Sequence, residues 1–291
     1  MSQRLRIALQ KSGRLADKSL ELVESAGLRV VKGANELLYR IENAPIDVLR
    51  VRDDDIPTFV ADGVADFGIV GLNVLAERSS EGERAPEEVM RLGFGRCALK
   101  IAAPESFRYE GPHSLDGVRI ATSYPGVLRR FLDEHGVGAE IVKMRGAVEV
   151  APRLKLSQVV CDLVSTGATL EANGLAAVET VLESEAVLIR GRRALDPELQ
   201  RNAESFVDRV GGVVASRGAK YVMMNAPRSA LPQISAILPG AGAPTVTPLA
   251  GRGDAVAVHA VCQESVFWET LERLKGAGAS AILVLPIEKM M

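Results

Sequence analysis

The chain has 291 residues, of which 47% are hydrophobic and 25% are charged, and its formal net charge is −2 at pH 7. This length favours two or three domains, and the composition is that of an ordinary globular protein. The nearly neutral charge gives no reason to expect a nucleic acid or a membrane as a partner, so small-molecule chemistry is the leading hypothesis.

The cysteines and histidines argue against several kinds of chemistry. They show neither the spacing of a metal site nor that of a Ser-His-Asp arrangement, so no covalent nucleophile is expected. The cysteines are interpreted as reduced thiols. The sequence shows no signal-peptide pattern and no stretch as long as a membrane span, which predicts a cytoplasmic location. The residues are Cys97, Cys161, Cys262, His113, His135 and His259.

A first strand, Arg6 to Gln10, leads into the loop Lys11-Ser12-Gly13-Arg14-Leu15 and then into a helix. Open α/β sheets bind ligands at the carboxyl ends of their strands, where this loop lies. Lys11 and Arg14 would supply positive charge there. A solvated basic turn explains the same residues without a ligand.

A second strand, Ile46 to Val51, is followed by three adjacent acids at 53–55. These acids suggest a metal site, but capping of the next helix by Asp54 or Asp55 is the preferred interpretation. Arg50 or Arg52 could bind phosphate. A third strand, 65–71, ends in glycine before another helix, and the charged segment 77–88 is interpreted as a surface excursion.

The middle of the chain predicts a second lobe, entered through the strand 92–104. A strand and turn at 119–125 place Thr122 and Tyr124 at the carboxyl end of a strand, before a helix with an apolar stripe. After a strand at 140–144, Glu149 could accept ribose hydroxyls or bind a metal. An acid stabilised by a helix N-terminus is an equally ordinary explanation for it.

The stretch from Asp162 to Leu175 follows a buried strand and opens into hydroxyls and a glycine. Glycine lets the backbone approach an anion closely, and backbone N–H groups at the start of a helix favour negative charge. Asp162 is placed to accept hydrogen bonds from sugar hydroxyls. The pattern predicts a sugar-phosphate site, although a helix cap without a ligand is also compatible with it. The phosphate-binding candidates are Ser165, Thr166, Gly167, Ala168 and Thr169.

The predicted fold is α/β, with two lobes and a C-terminal module. Lobe I comprises residues 1–98 and 184–217, lobe II residues 99–183, and the module residues 218–291. The module shows the order β-α-β-β-α-β, which is the ferredoxin-like plan. Trp268 is interpreted as a packing residue of its second helix.

Several of these stretches resemble the ATP phosphoribosyltransferase family. The stretch from Asp162 to Leu175 resembles that family's phosphoribosyl pyrophosphate loop nearly residue for residue. The patterns Lys-x-Gly-Arg-Leu at 11–15, Asp-x-Gly-Ile-x-Gly at 66–71 and Ala-Thr-x-Tyr-Pro at 121–125 are also similar. One departure is Ala147, which stands where the family usually has the serine of Gly-Ser-Val-Glu.

The resemblance implies a core like that of type II periplasmic binding proteins and transfer of a phosphoribosyl group to N1 of ATP, the first step of histidine biosynthesis. It implies Mg²⁺ held mainly through the substrates, with Glu149 as a candidate ligand. The long form further implies an ACT-like regulatory domain that binds histidine as inhibitor, a homo-oligomer (dimer or hexamer), and no separate regulatory subunit. The candidates for ATP or pyrophosphate are Lys11, Arg14, Arg50, Thr122, Tyr124 and Glu149, and those for histidine are Asn225, Thr245 and Ala281.

Two other kinds of protein fit the same pattern. A two-lobed protein with a sensor module could bind a small molecule without catalysing a reaction. A different transferase could use the same sugar donor. Release of pyrophosphate that depends on ATP would distinguish the predicted enzyme from both.

Overall fold

A computed structural model describes residues 4–33, 37–80, 85–238, 240 and 242–290. The chain forms two compact units, Met1–Ser205 and Phe206–Met291. The boundary between them falls inside the helix Pro197–Ser216. Among the described residues, no helix is both long and apolar enough to cross a membrane.

The first unit alternates strands and helices along most of its length. The strands are β1 (Leu5–Gln10), β2 (Val30–Lys32), β3 (Leu38–Ile41), β4 (Ile46–Val51), β5 (Phe67–Gly71), β6 (Glu87–Arg91), β7 (Cys97–Pro104), β8 (Arg119–Thr122), β9 (Glu140–Lys143), β10 (Val159–Val164), β11 (Leu175–Ser184) and β12 (Ala186–Arg190). The helices are α1 (Ala16–Ser25), α2 (Ile56–Ala61), α3 (Leu72–Ser80), α4 (Pro125–Glu134) and α5 (Ala168–Ala172), followed by α6 (Pro197–Ser216).

The first lobe is built on a sheet with the strand order β2-β3-β4-β1-β5-β12-β6. Its central strand β1 pairs in parallel with β4 and β5. Ile7, Ala8 and Leu9 of β1 are each 1% exposed or less, so the strand is covered on both faces. Burial on both faces explains why β1 has a continuous apolar run rather than an alternating pattern.

The second lobe is built on a sheet with the order β11-β7-β10-β8-β9. The parallel strands β8, β9 and β10 carry their carboxyl ends to one edge of this sheet. The predicted apolar stripe of α4 packs into the core: Val127, Leu128, Phe131 and Leu132 are at most 8% exposed. This packing fixes the helix behind the turn that contains Tyr124.

The same strand plan occurs in both lobes. The strand that arrives from the other lobe, β12 in the first and β7 in the second, is inserted antiparallel at the fourth position, giving β4-β1-β5-β12-β6 and β9-β8-β10-β7-β11. This plan is that of type II periplasmic binding proteins, and it confirms the predicted two-lobed α/β core.

The two chain crossings between the lobes run side by side. The N–H of Leu92 donates to the carbonyl of Ala186, and the N–H of Ala186 donates to the carbonyl of Phe94, both at 2.9 Å. Gly95, in the same crossing, has φ +67°, and the β-carbon of any other residue there would lie 2.2 Å from a methyl group of Leu15. Glycine is therefore required at position 95 by close approach as well as by conformation.

The second unit has the predicted β-α-β-β-α-β order, which confirms the ferredoxin-like module. After α6 its elements are β13 (Ala219–Pro227), α7 (Leu231–Ile237), β14 (Thr245–Leu249), β15 (Arg252–Gln263), α8 (Glu264–Gly276) and β16 (Ser280–Pro286). The antiparallel sheet has the order β14-β15-β13-β16. Val222 and Met224 on β13 and Val258 on β15 are fully buried in a core shared with both helices.

Three details of the structure differ from the sequence interpretation. The excursion predicted at 77–88 is wrong at both ends, because α3 includes Glu77 and continues through Ser80, and β6 begins at Glu87; residues 81–84 lie outside the described part. Asp55 occupies the N-cap position of α2 but makes no side-chain capping hydrogen bond. Trp268 is not a packing residue, because Phe267 takes the buried position on α8 and leaves Trp268 65% exposed.

Candidate active site

The loop after β10 presents hydroxyls and backbone groups to solvent. Gly167 adopts φ +86°, a left-handed conformation that favours glycine, and α5 begins at the next residue. Ser165, Thr166 and Thr169 are exposed, and no side chain caps the start of α5. The sequence Ser-Thr-Gly therefore produces a turn whose polar groups are available to an anion.

A cavity of about 530 Å³ lies beside this loop. Ser165, Thr166 and Gly167 line it together with Lys100 and Arg96. The two cationic side chains were not among the predicted site residues. Lys100 could have been found in the sequence, because it is the one charged residue in the apolar strand Cys97–Pro104.

Asp162 lies opposite Lys100 on the neighbouring antiparallel strand. Its carboxylate accepts a hydrogen bond from the N–H of Leu163 at 2.8 Å. Burial raises the pKa of Asp162 above its usual range, the bond from Leu163 opposes that shift, and the charge of Glu149 adds to it. The structure thus brings the two predicted acids of the second lobe into electrostatic contact.

The basic loop of the first lobe meets the loop after β10. Arg14 donates to the hydroxyl of Ser165 at 3.2 Å and to the sulfur of Cys97 at 3.0 Å. The amide oxygen of Gln10 accepts from the N–H of Leu15 at 3.0 Å, which holds the loop at the end of β1. Arg14 is therefore a direct link between two motifs that lie on different lobes.

Arg50 supports the same basic loop from the neighbouring strand. Its guanidinium donates to the carbonyl of Lys11 and, at 2.5 Å, to the hydroxyl of Tyr39. It also stacks over the Tyr39 ring at 5.1 Å from the centroid. The side chain of Lys11 is exposed, and its backbone N–H donates to Val51. These contacts order the loop, and a phosphate contact by Arg50 stays a prediction.

Thr122 and Tyr124 occupy different depths. Thr122 is fully buried, and its hydroxyl accepts the N–H of Tyr124 at 2.9 Å. The hydroxyl of Tyr124 accepts a hydrogen bond from the side-chain amide of Asn73 at 2.9 Å. Burial raises the pKa of Tyr124, so the phenol stays protonated and keeps a proton to donate.

Tyr124 lines a cavity of about 630 Å³ that contains residues of both lobes. Cations surround much of this space, and three acids lie on its first-lobe side. Its charged lining residues are Arg52, Arg78, Lys143, Arg145, Asp53, Asp54 and Glu77. A polyanion with a flat polar ring would find both cations and hydrogen-bonding groups here.

Glu149 lies in a short 3₁₀ turn that begins after Ala147. Ala147 has φ +49° and is exposed, so a residue with a β-carbon occupies a left-handed conformation. No side chain caps this turn. The departure from the family pattern at position 147 therefore removes a hydroxyl and leaves a strained alanine.

The three residues predicted to bind histidine are not brought together within the second unit. Asn225 pairs with Ser280 at an irregularity between β13 and β16, next to Ala281, which has φ +48°. Thr245 lies on β14, at the other edge of the sheet. β14 is two strand spacings, roughly 10 Å, from β13 with Asn225, and three spacings, roughly 14 Å, from β16 with Ala281.

The described residues offer no dedicated metal cage. No group of three or more His, Cys, Asp or Glu side chains is arranged to hold an ion in the described part of the chain. The three cysteines are free, and burial raises the pKa of Cys161, which disfavours its thiolate. The geometry suits binding and orientation of anions by hydrogen bonds and cationic side chains.

The fold and the meeting of the two loops define a class of protein: a two-lobed α/β protein in which cationic and hydroxyl side chains from both lobes come together. A family model described as ATP phosphoribosyltransferase matches residues 52–212, and a model described as HisG, C-terminal domain, matches residues 216–289. The ATP phosphoribosyltransferase of Maricaulis maris (strain MCS10) is 55% identical over 293 residues, covering 100% of both chains.

A solved structure supports the fold of the core. The ATP phosphoribosyl transferase (HisG:HisZ) complex from Thermotoga maritima aligns with a TM-score of 0.61 and 24% identity, over 72% of this chain and 98% of that chain. The chain belongs to the ATP phosphoribosyltransferase family, in the long form that carries the C-terminal domain. It is a pentosyltransferase of the first step of histidine biosynthesis.

Proposed function

We propose that the two lobes present phosphoribosyl pyrophosphate and ATP to each other. N1 of the adenine forms a bond to C1 of the ribose as the bond from C1 to pyrophosphate breaks, and the electron pair of that bond leaves with pyrophosphate. The protein's task is then to position two polyanions and to stabilise the departing charge. The observation that carries the proposal is the contact between Arg14 and Ser165, which joins the two family motifs.

The loop Ser165 to Thr169 binds the 5-phosphate of the donor in this proposal, and Asp162 accepts hydrogen bonds from the ribose hydroxyls. The exposed hydroxyls and the left-handed Gly167 support the phosphate role. Lys100 and Arg96 line the adjoining cavity and add positive charge. A half-buried carboxylate makes stronger hydrogen bonds than an exposed one, which suits Asp162 to hold a sugar.

Pyrophosphate and the ATP phosphates are assigned to Lys11, Arg14 and Arg50, with Tyr124 and Thr122 on the acceptor side. The cavity beside Tyr124 adds Arg52, Lys143 and Arg145 as cations for a triphosphate. Because Tyr124 accepts a hydrogen bond from Asn73, its own proton is available to the acceptor. Thr122 acts from behind, through the backbone of Tyr124.

Mg²⁺ is proposed as the cofactor. The ion is expected to be held mainly by substrate oxygens, as Mg²⁺ usually is. Glu149, whose charge acts on Asp162, is the candidate protein ligand. When bound, the ion would neutralise part of the negative charge on the leaving pyrophosphate.

Regulation is proposed to reside in the second unit, with histidine as inhibitor and a homo-oligomer, dimer or hexamer, as the working assembly in the cytoplasm. The Thermotoga protein is described as a complex with a second component, and its chain aligns with only 72% of this one. This chain has its own C-terminal domain at 216–289, which supports the absence of a separate regulatory subunit.

The direct test is to incubate the purified chain with ATP, Mg²⁺ and phosphoribosyl pyrophosphate and to follow pyrophosphate release. We expect release only when all three are present, and a product that carries the ribose on N1 of the adenine. Release without ATP would indicate a different acceptor. Tight binding of both substrates without release would indicate a sensor rather than an enzyme.

A further inference from the structure

Glu77 on α3 of the first lobe caps a helix of the second lobe. Its two carboxylate oxygens accept the N–H groups of Gly126 and Val127, each at 2.9 Å. These N–H groups belong to the first turn of α4, where a negative charge is favourable. A cap of this kind usually comes from the helix's own chain segment, so a cap from the other lobe fixes α4 relative to α3.

A second contact joins the same two helices one turn earlier on α3. The side-chain amide of Asn73 donates to the hydroxyl of Tyr124, and its oxygen accepts the hydroxyl of Ser184 at 2.8 Å. Ser184 also accepts the backbone N–H of Asn73 at 3.0 Å. Asn73 is 3% exposed, so its amide is held by partners on both sides.

The position of these contacts relates them to the cleft. Tyr124 is the N-cap residue of α4, directly before the turn that Glu77 holds. Both Glu77 and Tyr124 line the cavity of about 630 Å³. Displacing the start of α4 would therefore move the phenol within this cavity. Arg130, which donates to the carbonyl of Ala76 at 3.0 Å, adds a third contact farther along α4.

We infer that Glu77 is a positioning residue for the reaction, which acts through Tyr124 by fixing α4 of one lobe to α3 of the other. The inference rests on the proposed function, because it takes Tyr124 to serve the acceptor side. Glu77 itself need not touch a substrate. Its effect is to hold the phenol where its proton can meet the acceptor, and displacements of about 1 Å are sufficient to slow reactions strongly.

A double-mutant cycle on the full chain tests this inference, with Glu77→Gln, Tyr124→Phe and the two together. Glutamine keeps the size of the side chain and one oxygen acceptor but loses the charge. We expect Glu77→Gln to lower kcat/KM for ATP on the order of tenfold, while the KM for phosphoribosyl pyrophosphate stays within about twofold. In the Tyr124→Phe background, Glu77→Gln should change kcat/KM by less than about twofold, because neighbours that act as a unit are not additive.

The matched control is Asp116→Asn. The carboxylate of Asp116 also accepts a backbone N–H, that of Gly138 at 2.9 Å, but within one lobe and away from both cavities. It should lower the melting temperature without changing either KM. If Glu77→Gln does not fold, Glu77→Asp, which keeps the charge but shortens the reach to the N–H groups of Gly126 and Val127, enters the same cycle.

Each outcome decides something different. Tyr124→Phe with the kinetics of the wild type would remove Tyr124 from the site and overturn the proposed acceptor side. Suppose that Tyr124→Phe lowers kcat/KM and that the double variant shows the product of the two single losses in kcat/KM. The proposed site would then stand, and the inference would be overturned. Equal kinetic effects of Glu77→Gln and Asp116→Asn would likewise overturn it.

Discussion

Arg14 and Ser165 are 151 residues apart in the sequence and 3.2 Å apart in space. The guanidinium also reaches the sulfur of Cys97, so the planar fork of an arginine serves two partners at once. We expect Arg14→Lys, which keeps the charge but not the fork, to raise the KM for phosphoribosyl pyrophosphate about tenfold, equivalent to roughly 1.4 kcal/mol.

Steady-state kinetics at varied concentrations of phosphoribosyl pyrophosphate would measure this effect. Arg108→Lys is the control, because Arg108 is on the same lobe as the loop after β10 and its side chain is 87% exposed. Equal KM values for Arg14→Lys and the wild type would show that the bridging contact is not used by the donor.

Asp162 should favour binding of the donor and, at neutral pH, lower the stability of the folded protein. Loss of charge-assisted hydrogen bonds in Asp162→Asn should raise the KM for the donor about 10- to 100-fold, at roughly 1.5–3 kcal/mol. Because burial raises the pKa of Asp162, protonation should lower the activity of the wild type as the pH falls through that raised value. Donor kinetics over a range of acidic pH would measure both effects, and unchanged kinetics in the variant would contradict the assignment.

The raised pKa of Asp162 also determines how the stability of the protein depends on pH. A carboxyl with a raised pKa in the folded state binds its proton more tightly when folded, so its contribution to stability is present below the unfolded value of 3.8 and is lost as the pH rises through the folded value. Asp162→Asn should therefore melt at a higher temperature than the wild type at pH 7 and at a similar temperature near pH 3. The exposed Glu21→Gln is the control; a lower melting temperature for Asp162→Asn at pH 7 would contradict this prediction.

A comparison of Gly167 with Gly174 distinguishes the effect of backbone strain from a role in binding the donor. Gly167 and Gly174 flank α5 with φ +86° and +71°, and neither site would crowd a β-carbon closer than 3.9 Å. Gly167→Ala and Gly174→Ala should each cost about 1–2 kcal/mol, the usual price of a left-handed conformation. Only Gly167→Ala should also raise the KM for the donor. Calorimetry and donor kinetics on the two variants would measure these effects. Equal KM values for the donor in both variants would contradict a role of the loop in binding it.

Ala147 offers a substitution that should stabilise the protein. Ala147→Gly relieves a left-handed alanine on the surface, and we expect a gain of about 1 kcal/mol in the free energy of unfolding. Denaturant titration would measure it. Ala147→Ser restores the hydroxyl of the family pattern without relieving the strain, so a change in KM without a gain in stability would identify a contact that this chain lacks.

Histidine inhibition should depend on two parts of the second unit's sheet: the inner strand β13, next to β16, and the edge strand β14. Asn225→Ala and Thr245→Val should each weaken inhibition while leaving the uninhibited rate unchanged. β13 and β14 are two strand spacings apart, roughly 10 Å, so loss of inhibition in both variants would support a histidine contact on each of these strands. Titration of the rate with histidine would measure this, and full inhibition of both variants would contradict the predicted site.

The sequence predicts those parts of the structure that depend on local patterns. An alternating pattern such as that of Ile46 to Val51 defines a strand, and Gly167 with its hydroxyl neighbours defines a turn. The short edge strands β2 and β6 are not predicted, because their residues are largely exposed and carry no regular apolar pattern. The partners of Asn73 and Glu77 were missed for a different reason. They lie about fifty residues or more away along the chain, and only the fold brings them together.

The contact of Gly95 with Leu15 gives the crossing between the lobes a mechanical role. Leu15 ends the basic loop, and Gly95 lies in the segment that carries the chain from one lobe to the other. A rotation at Gly95 would press on the methyl group of Leu15, which lies close to it. We therefore expect opening of the lobes to be coupled to movement of the loop that holds Arg14, so that release of product and retraction of the loop's positive charge occur together.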